Sequence, residues 1–216
     1  MKTAIVLGAT GLVGNHITHK LISNDHYDKV KVFTRRSLQI SNSKLEEHLV
    51  NFDNIESWKE DLKGDELYSA LGTTLKKAGS KEAQYKIDFT YQYEIAKAAS
   101  QNGVLKLLLV SSIRASYKSR NFYLRMKGKL DEEIQQFQFK QIFIFRPSIL
   151  AGERNEKRTG ESIGIKIAGT ITKIIPALKK YRPIKASQVA EAMIKSANQT
   201  LKEQINIYES EEIFNL

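Results

Sequence analysis

Ser111 and Ser112 are followed within a short stretch by Tyr123 and Lys127. A hydroxyl, a phenol and an ammonium suit proton exchange with an alcohol or carbonyl, the serine holding the substrate oxygen while the phenol gives or takes the proton. Helical spacing of four puts the phenol and ammonium on one face. The adjacent cation is expected to favour the phenolate and lower the tyrosine pKa from its reference near ~10. The same lysine can hold ribose hydroxyls. Spacing alone does not single out this pair, because Tyr-x-x-x-Lys occurs four times, at Tyr27/Lys31, Tyr93/Lys97, Tyr123/Lys127 and Tyr181/Lys185. Position does. Tyr27/Lys31 straddles the expected start of a strand, Tyr181/Lys185 contains Pro183, and Tyr93/Lys97 is remote in sequence from any strand-end hydroxyl. Tyr123/Lys127 alone follows a strand that delivers serines at its carboxyl end.

A second constellation opens the chain. GATGLVG places Gly8, Gly11 and Gly14 at three-residue intervals between an apolar strand and an apolar helical stretch. Such a turn lets backbone approach a pyrophosphate and lets the helix start supply N–H donors. The candidate contacts are Gly8, Thr10, Gly11, Leu12, Val13 and Gly14. A plain strand–helix turn also tolerates glycine, but the context of strand, loop and helix favours nucleotide binding. About 20 residues on, NAD sites carry an acid for the ribose 2′-hydroxyl. Here Thr34, Arg35 and Arg36 stand instead, and two guanidiniums suit a 2′-phosphate. NADP(H) is therefore preferred over NAD(H).

Elements must place these groups together. Thr3–Leu7, Lys31–Phe33, Leu67–Leu71, Leu105–Val110 and Ile142–Phe145 read as strands buried on both faces, with a weaker strand near Leu49–Phe52. Between them lie amphipathic stretches at Leu12–Ile22, Tyr85–Ala99 and Phe122–Phe137. After Pro147, helices are expected near Ser162–Ile175 and Ser187–Ala197, and a strand at Gln204–Tyr208. Alternation of this kind predicts an α/β fold, a Rossmann-like doubly wound parallel sheet with helices on both faces and a small C-terminal substrate region. One domain spanning 1–216 is expected, with 148–216 forming the substrate-side cap; the ligand belongs at the carboxyl ends of the strands.

Composition narrows the classes. With no cysteine among the 216 residues, disulfides and thiolate chemistry are excluded. The four histidines all lie in the first quarter without a carboxylate cluster, so no metal is expected. The net charge is +10 and most of the excess lies beyond residue 110. Arg114, Lys118, Arg120, Arg125, Lys127 and Lys129 run without an intervening acid, and Lys179, Lys180, Arg182 and Lys185 form a second group. Such a field attracts anions of many kinds, and without aromatic–basic interleaving nucleic acid is not the expected partner. The run around Tyr123 reads as the rim of an anionic-cofactor cleft. The apolar run Ala4–Leu7 is too short for a secretory signal, and no segment approaches a membrane span, so a cytoplasmic protein is expected.

Gly8/Gly11/Gly14, the strand-end Ser111–Ser112 and Tyr123/Lys127 resemble the short-chain dehydrogenase/reductase superfamily. ALGTT (70–74), VSS (110–112), NFYLRMKG (121–128), FRPSIL (145–150) and ERNEKRTGE (153–161) are similar to its atypical branch of the Tat-interacting-protein type. The resemblance implies an NADPH-binding Rossmann fold with Gly72 and Thr73 flanking the cofactor. It places Arg146, Pro147 and Ser148 near the nicotinamide, and makes Ser112, rather than Ser111, the counterpart of the usual catalytic serine. The chain departs at Asn51, where related proteins tend to place an acid beside the adenine; that contact would fall on Asn51 or Asp53. The expected activity is NADP-dependent reduction of a small carbonyl substrate through Ser112, Tyr123 and Lys127. The alternatives are an NADP(H)-responsive regulator acting through an acidic protein partner, and a nucleotide-sugar epimerase or dehydratase-like enzyme, for which the region after Pro147 is short.

Overall fold

The computed structural model describes residues 1–151, 182–199 and 201–216. Its centre is a seven-stranded, wholly parallel sheet. The strands are β1 (Lys2–Leu7), β2 (Tyr27–Thr34), β3 (Leu45–Leu49), β4 (Glu66–Ser69), β5 (Lys106–Val110), β6 (Gln141–Arg146) and, near the C-terminus, β9 (Ile205–Glu209). Their order is β3-β2-β1-β4-β5-β6-β9. The chain builds outward from β1 in one direction, returns beside it with β4, and builds outward in the other. The reversal between β1 and β4 opens a crevice at the carboxyl ends of the strands. A separate parallel pair, β7 (Leu150–Ala151) and β8 (Ile184–Lys185), stands beyond β6.

The apolar runs explain the layers. Successive side chains of a strand point to opposite faces, so Ala4 and Val6 enter one core while Ile5 and Leu7 enter the other. The first core packs α1 (Leu12–Ile22) through Ile17 and Leu21, and α6 (Ala186–Ala197) through Val189 and Met193. The second packs α4 (Tyr91–Gln101) through Ile95 and α5 (Phe122–Glu133) through Met126 and Leu130. Among the described residues, no helix is long and apolar enough to cross a membrane.

The outer elements differ from the sequence reading for reasons of polarity. The third strand lies at Leu45–Leu49, ahead of the apolar stretch expected to form it, because an edge strand tolerates charged side chains: Glu46 pairs with Lys29 at 3.0 Å and takes a hydrogen bond from His48 at 2.7 Å. Phe52 instead starts a short 3₁₀ segment, Phe52–Ser57. Tyr27 and Lys31 both lie within β2, where the Tyr27 phenol is buried 2.7 Å from Glu66 and 2.9 Å from the Tyr68 hydroxyl. Lys2 closes that cluster with an ion pair to Glu66 at 2.7 Å.

The helix expected over Tyr85–Ala99 is interrupted. After α2 (Leu75–Ala78) and α3 (Lys81–Tyr85), residues Lys86–Thr90 form a π-helical turn before α4 begins. A π turn inserts an extra residue and so rotates the facing of the next helical residues; here it buries Asp88 and Phe89. The expected helix over 162–175 lies outside the described residues. Of the expected cap over 148–216, the described residues form β7, β8, α6, β9 and α7 (Ser210–Ile213), with β9 completing the sheet beside β6.

Candidate active site

The loop after β1 meets the loop after β4 at the sheet reversal. Gly8 has φ +77°, the left-handed region that favours glycine, and a Cβ there would lie 2.4 Å from the Ala70 carbonyl oxygen. A Cβ on Gly14 would lie 2.2 Å from the Gly8 carbonyl oxygen, so α1 can start this close to the strand only with glycine. Gly11 donates its N–H to the Gly8 carbonyl at 2.8 Å and serves as the N-cap of α1 without a side-chain cap. No acid stands in the first turn of α1, so its N-terminal N–H groups and partial positive charge are open to an anion. Thr10 is exposed at the loop tip and Leu12 half-buried, whereas Val13 packs into the core and can offer a ligand only its backbone.

Arg35 and Arg36 follow β2 directly, both exposed and without an ion pair among the described residues. Thr34 shapes the turn by donating its hydroxyl to the Arg36 carbonyl at 3.0 Å. Asn51 follows β3, where its side-chain oxygen accepts from the Asp53 N–H at 3.0 Å and its carbonyl from the Trp58 indole at 3.0 Å. The Asn51 oxygen therefore caps a 3₁₀ segment. Asp53 is bound to Lys86 and Tyr91, tying that segment to the helices beyond.

Gly72 and Thr73 lie in the loop after β4 and rest on Asp88. The Thr73 N–H donates to the Asp88 carboxylate at 2.9 Å, and a Cβ on Gly72 would come within 3.1 Å of its other oxygen. Ser69 and Gln92 extend this buried network: the Ser69 hydroxyl donates to Gln92 at 2.8 Å, and Gln92 to the Asp88 carbonyl at 2.7 Å.

Beyond β5, the two serines part. The Ser112 hydroxyl donates to the Ile113 carbonyl at 3.4 Å and lies close enough to the Tyr123 phenol to act against the rise that burial imposes on its pKa. Ser111 is turned into the protein beside Asp131, whose carboxyl pKa burial raises while the Ser111 hydroxyl and Arg146 act against the rise; both Ser111 Oγ and Asp131 Oδ1 are buried without a well-aligned hydrogen-bond partner. Close packing fixes this loop: a Cβ on Gly128 of α5 would lie 2.2 Å from the Ser116 backbone, and Ser116 N–H donates to the Leu124 carbonyl at 3.1 Å.

Lys127 is buried at 3% exposure and donates to the Val110 carbonyl at 3.0 Å. Burial lowers its pKa, while the Asp88 and Asp131 carboxylates act to raise it. Burial pushes Asp88 up to about 6, against the pull of Lys127 and the Thr73 N–H. Tyr123 is 36% exposed as a residue, but desolvation of its phenol is the leading cause of a raised pKa, with Asp88 and Asp131 adding to the rise. The expected depression by Lys127 is therefore overturned. The ammonium is turned to a backbone carbonyl, and the carboxylates around it reach the phenol as well. In this geometry Tyr123 holds its proton.

Arg146 is engaged elsewhere than expected. Its Nε donates to Asp131 and another guanidinium nitrogen to Glu209, each at 3.0 Å, which ties α5 to β6 and β9. The Pro147 carbonyl accepts from Ile113 N–H at 2.9 Å. The Ser148 hydroxyl donates to the Arg182 carbonyl, and its N–H to the Ser210 hydroxyl at 3.2 Å. This segment thus braces the loop carrying Ser112, and its polar side chains are spent within the protein.

Asp88 and Asp131 escaped the sequence reading. Asp131 lies one helical turn after Lys127 on α5, a spacing that places it on the same face and was available as a signal. Asp88 had none, because its inward turn depends on the π-helical segment. Among the described residues, no group of three His, Asp or Glu side chains could hold a metal.

The sequence model of an NAD(P)H-binding family matches residues 8–200. The mitochondrial protein fmp52 of Aspergillus niger is 33% identical over 212 residues, covering 95% of this chain and 91% of the relative. The corresponding mitochondrial protein of Candida albicans is 34% identical, covering 99% and 97%. Among solved structures, the Thermotoga maritima UDP-glucose 4-epimerase superposes with TM-score 0.70 at 13% identity, covering 99% of this chain and 80% of that one. The Bordetella bronchiseptica enzyme WbmH, in complex with NAD+, gives TM-score 0.71 at 14% identity, covering 97% and 76%. These likenesses show the fold. The curated relatives are named as mitochondrial, which overturns the cytoplasmic expectation: that reading rested on the lack of a secretory or membrane-spanning segment, and such a lack does not separate these compartments. Strand order, glycine loop and family match together place the chain in the NAD(P)H-binding family, as an atypical short-chain dehydrogenase/reductase.

Proposed function

We propose that this protein is an NADP-dependent oxidoreductase that reduces a small carbonyl compound through Ser112, Tyr123 and Lys127. The observation that carries the reading is the convergence of Ser112, at the end of β5, with Tyr123 and the buried Lys127 of α5, close enough for the Ser112 hydroxyl and the surrounding carboxylates to act on the phenol. The dinucleotide supplies the hydride when bound. Ser112 holds the carbonyl oxygen by a hydrogen bond, and Tyr123 donates its proton to that oxygen as negative charge develops there. A raised phenol pKa suits this direction, since reduction needs the acid form. Lys127 holds the ribose once drawn from the Val110 carbonyl. The N-terminal N–H groups of α1 take the pyrophosphate, the loop at Gly72 and Thr73 flanks the dinucleotide, and Arg35 and Arg36 favour a 2′-phosphate.

The test is NADPH oxidation against a panel of aldehydes, ketones and quinones, with UDP-glucose incubated separately with oxidised dinucleotide and assayed for the C4 epimer, because one solved neighbour is a UDP-glucose 4-epimerase. Tyr123→Phe should lower kcat by about a hundredfold or more while leaving the Kd for NADPH within about twofold. Turnover that survives this change removes Tyr123 as the acid. Dinucleotide binding without turnover of any compound replaces the enzyme reading with that of a dinucleotide-responsive regulator.

A further inference from the structure

The cations between Arg114 and Lys129 do not form one surface. On α5, Lys127 turns towards the sheet, whereas Arg125 and Lys129 are exposed on the outer side beside the half-buried Phe122, with the core residue Met126 at the floor. That outer face, together with α3 and the π turn, walls two adjoining hollows of about 520 and 660 Å³, which have Tyr85, Phe122 and Arg125 in common. The run read in sequence as the rim of the cofactor cleft therefore belongs in part to a separate groove.

Charge is unevenly answered along this groove. Lys86 is paired with Asp53, and Lys129 lies 4.9 Å from the Phe89 ring centroid while donating to the Tyr85 hydroxyl at 3.2 Å. Lys81, Arg120 and Arg125 have no ion pair among the described residues. Lys81 sits 5.8 Å from the Phe122 ring centroid. Arg125 gives one guanidinium nitrogen to the carbonyls of Ser119 and Arg120, at 3.0 and 3.2 Å, which fixes its fork without neutralising it. Next to these charges, Tyr85, Phe122 and the 48% exposed Tyr117 supply flat apolar surface.

We propose that this groove is a docking site for an acidic peptide segment of a partner protein, one carrying carboxylates beside a bulky apolar or aromatic side chain. Unpaired cations along a concave wall focus a positive potential, and arginine–carboxylate bonds strengthen as water is excluded. Aromatic residues and arginine are also the side chains that most often dominate binding energy at interfaces. Glu82, Glu132 and Glu133 line the same hollows; they repel a continuous chain of phosphates but tolerate a peptide whose negative charge is local. A second copy of this chain would have to pair these cations with Glu82, Glu132 and Glu133 of its partner across a two-fold axis, which the sedimentation measurement below detects. The site stands on the opposite face of α5 from Tyr123 and Lys127, and it does not depend on the reaction proposed above.

The test is fluorescence anisotropy of a short fluorescein-labelled peptide with two adjacent glutamates next to a phenylalanine, added to the full chain with NADPH present. Saturable binding is expected that weakens as salt rises and weakens about tenfold with Lys81→Glu or Arg120→Glu, with the affinity for NADPH unchanged. Replacing the peptide's phenylalanine by alanine should weaken binding as well. Absence of binding, or binding indifferent to both substitutions, overturns the proposal. So does tighter binding of a single-stranded oligonucleotide of equal charge, or a concentration-dependent dimer in sedimentation that Arg120→Glu disperses.

Discussion

Asp88 shows how one buried carboxylate can shape both a loop and a titration. Its carboxylate accepts from the Thr73 N–H, yet it is 2% exposed and its pKa is pushed up to about 6. In the unfolded chain the group titrates near 3.8. The native state therefore holds this proton more tightly, and its stability falls as pH rises from about 4 to about 6 and levels off above that. Asp88→Asn keeps an oxygen for Thr73 and removes the charge. Its stability relative to the parent should rise across the same window, reaching up to about 3 kcal/mol at pH 7. Urea unfolding at a series of pH values measures this, and a pH-independent difference would show that burial does not disfavour the carboxylate. The sequence disclosed Tyr123, Lys127 and the glycines because their chemistry depends on spacing within one strand, loop or helix. It hid Asp88 because that residue's facing depends on a π turn, and it hid the raised pKa of Tyr123 because that depends on which groups crowd the phenol across the fold.

At the level of elements, three parts of the molecule converge on one guanidinium. Arg146 at the end of β6 links Asp131 of α5 with Glu209 of β9. The Asp131 side chain is 1% exposed, so its partner cannot be replaced by water. Arg146→Met should destabilise the protein by about 3–5 kcal/mol by stranding a buried charge. Adding Asp131→Leu should restore much of that loss, and additive effects in urea unfolding would count against the coupling. Strand positions were legible wherever both faces are buried, as in β1, β5 and β6, because a strand covered on both sides reads as an uninterrupted apolar run. Edges were not. β3 carries Glu46, Glu47 and His48 in its middle, and the first half of β2 alternates with charge, so apolar content alone placed one strand late and truncated the other.

For the whole molecule, the parallel sheet gathers the glycine loop, Arg35 and Arg36, the loop at Thr73 and the Ser112 loop along a single edge. A dinucleotide bound there spans both halves of the sheet and should raise the unfolding temperature. At a hundredfold excess over Kd the stabilisation is about 2.7 kcal/mol. NADPH should give a larger thermal shift than NADH, and Arg35→Ala with Arg36→Ala should remove the difference; equal shifts in the parent protein would sink the 2′-phosphate assignment. The opposite edge has its own use. There Lys2 is pinned to the buried Glu66, while Met1 is 94% exposed. Because every strand of the main sheet runs the same way, anything fused ahead of Met1 hangs from the far side of the molecule. An affinity handle or a surface linker placed there leaves the crevice facing freely into solution.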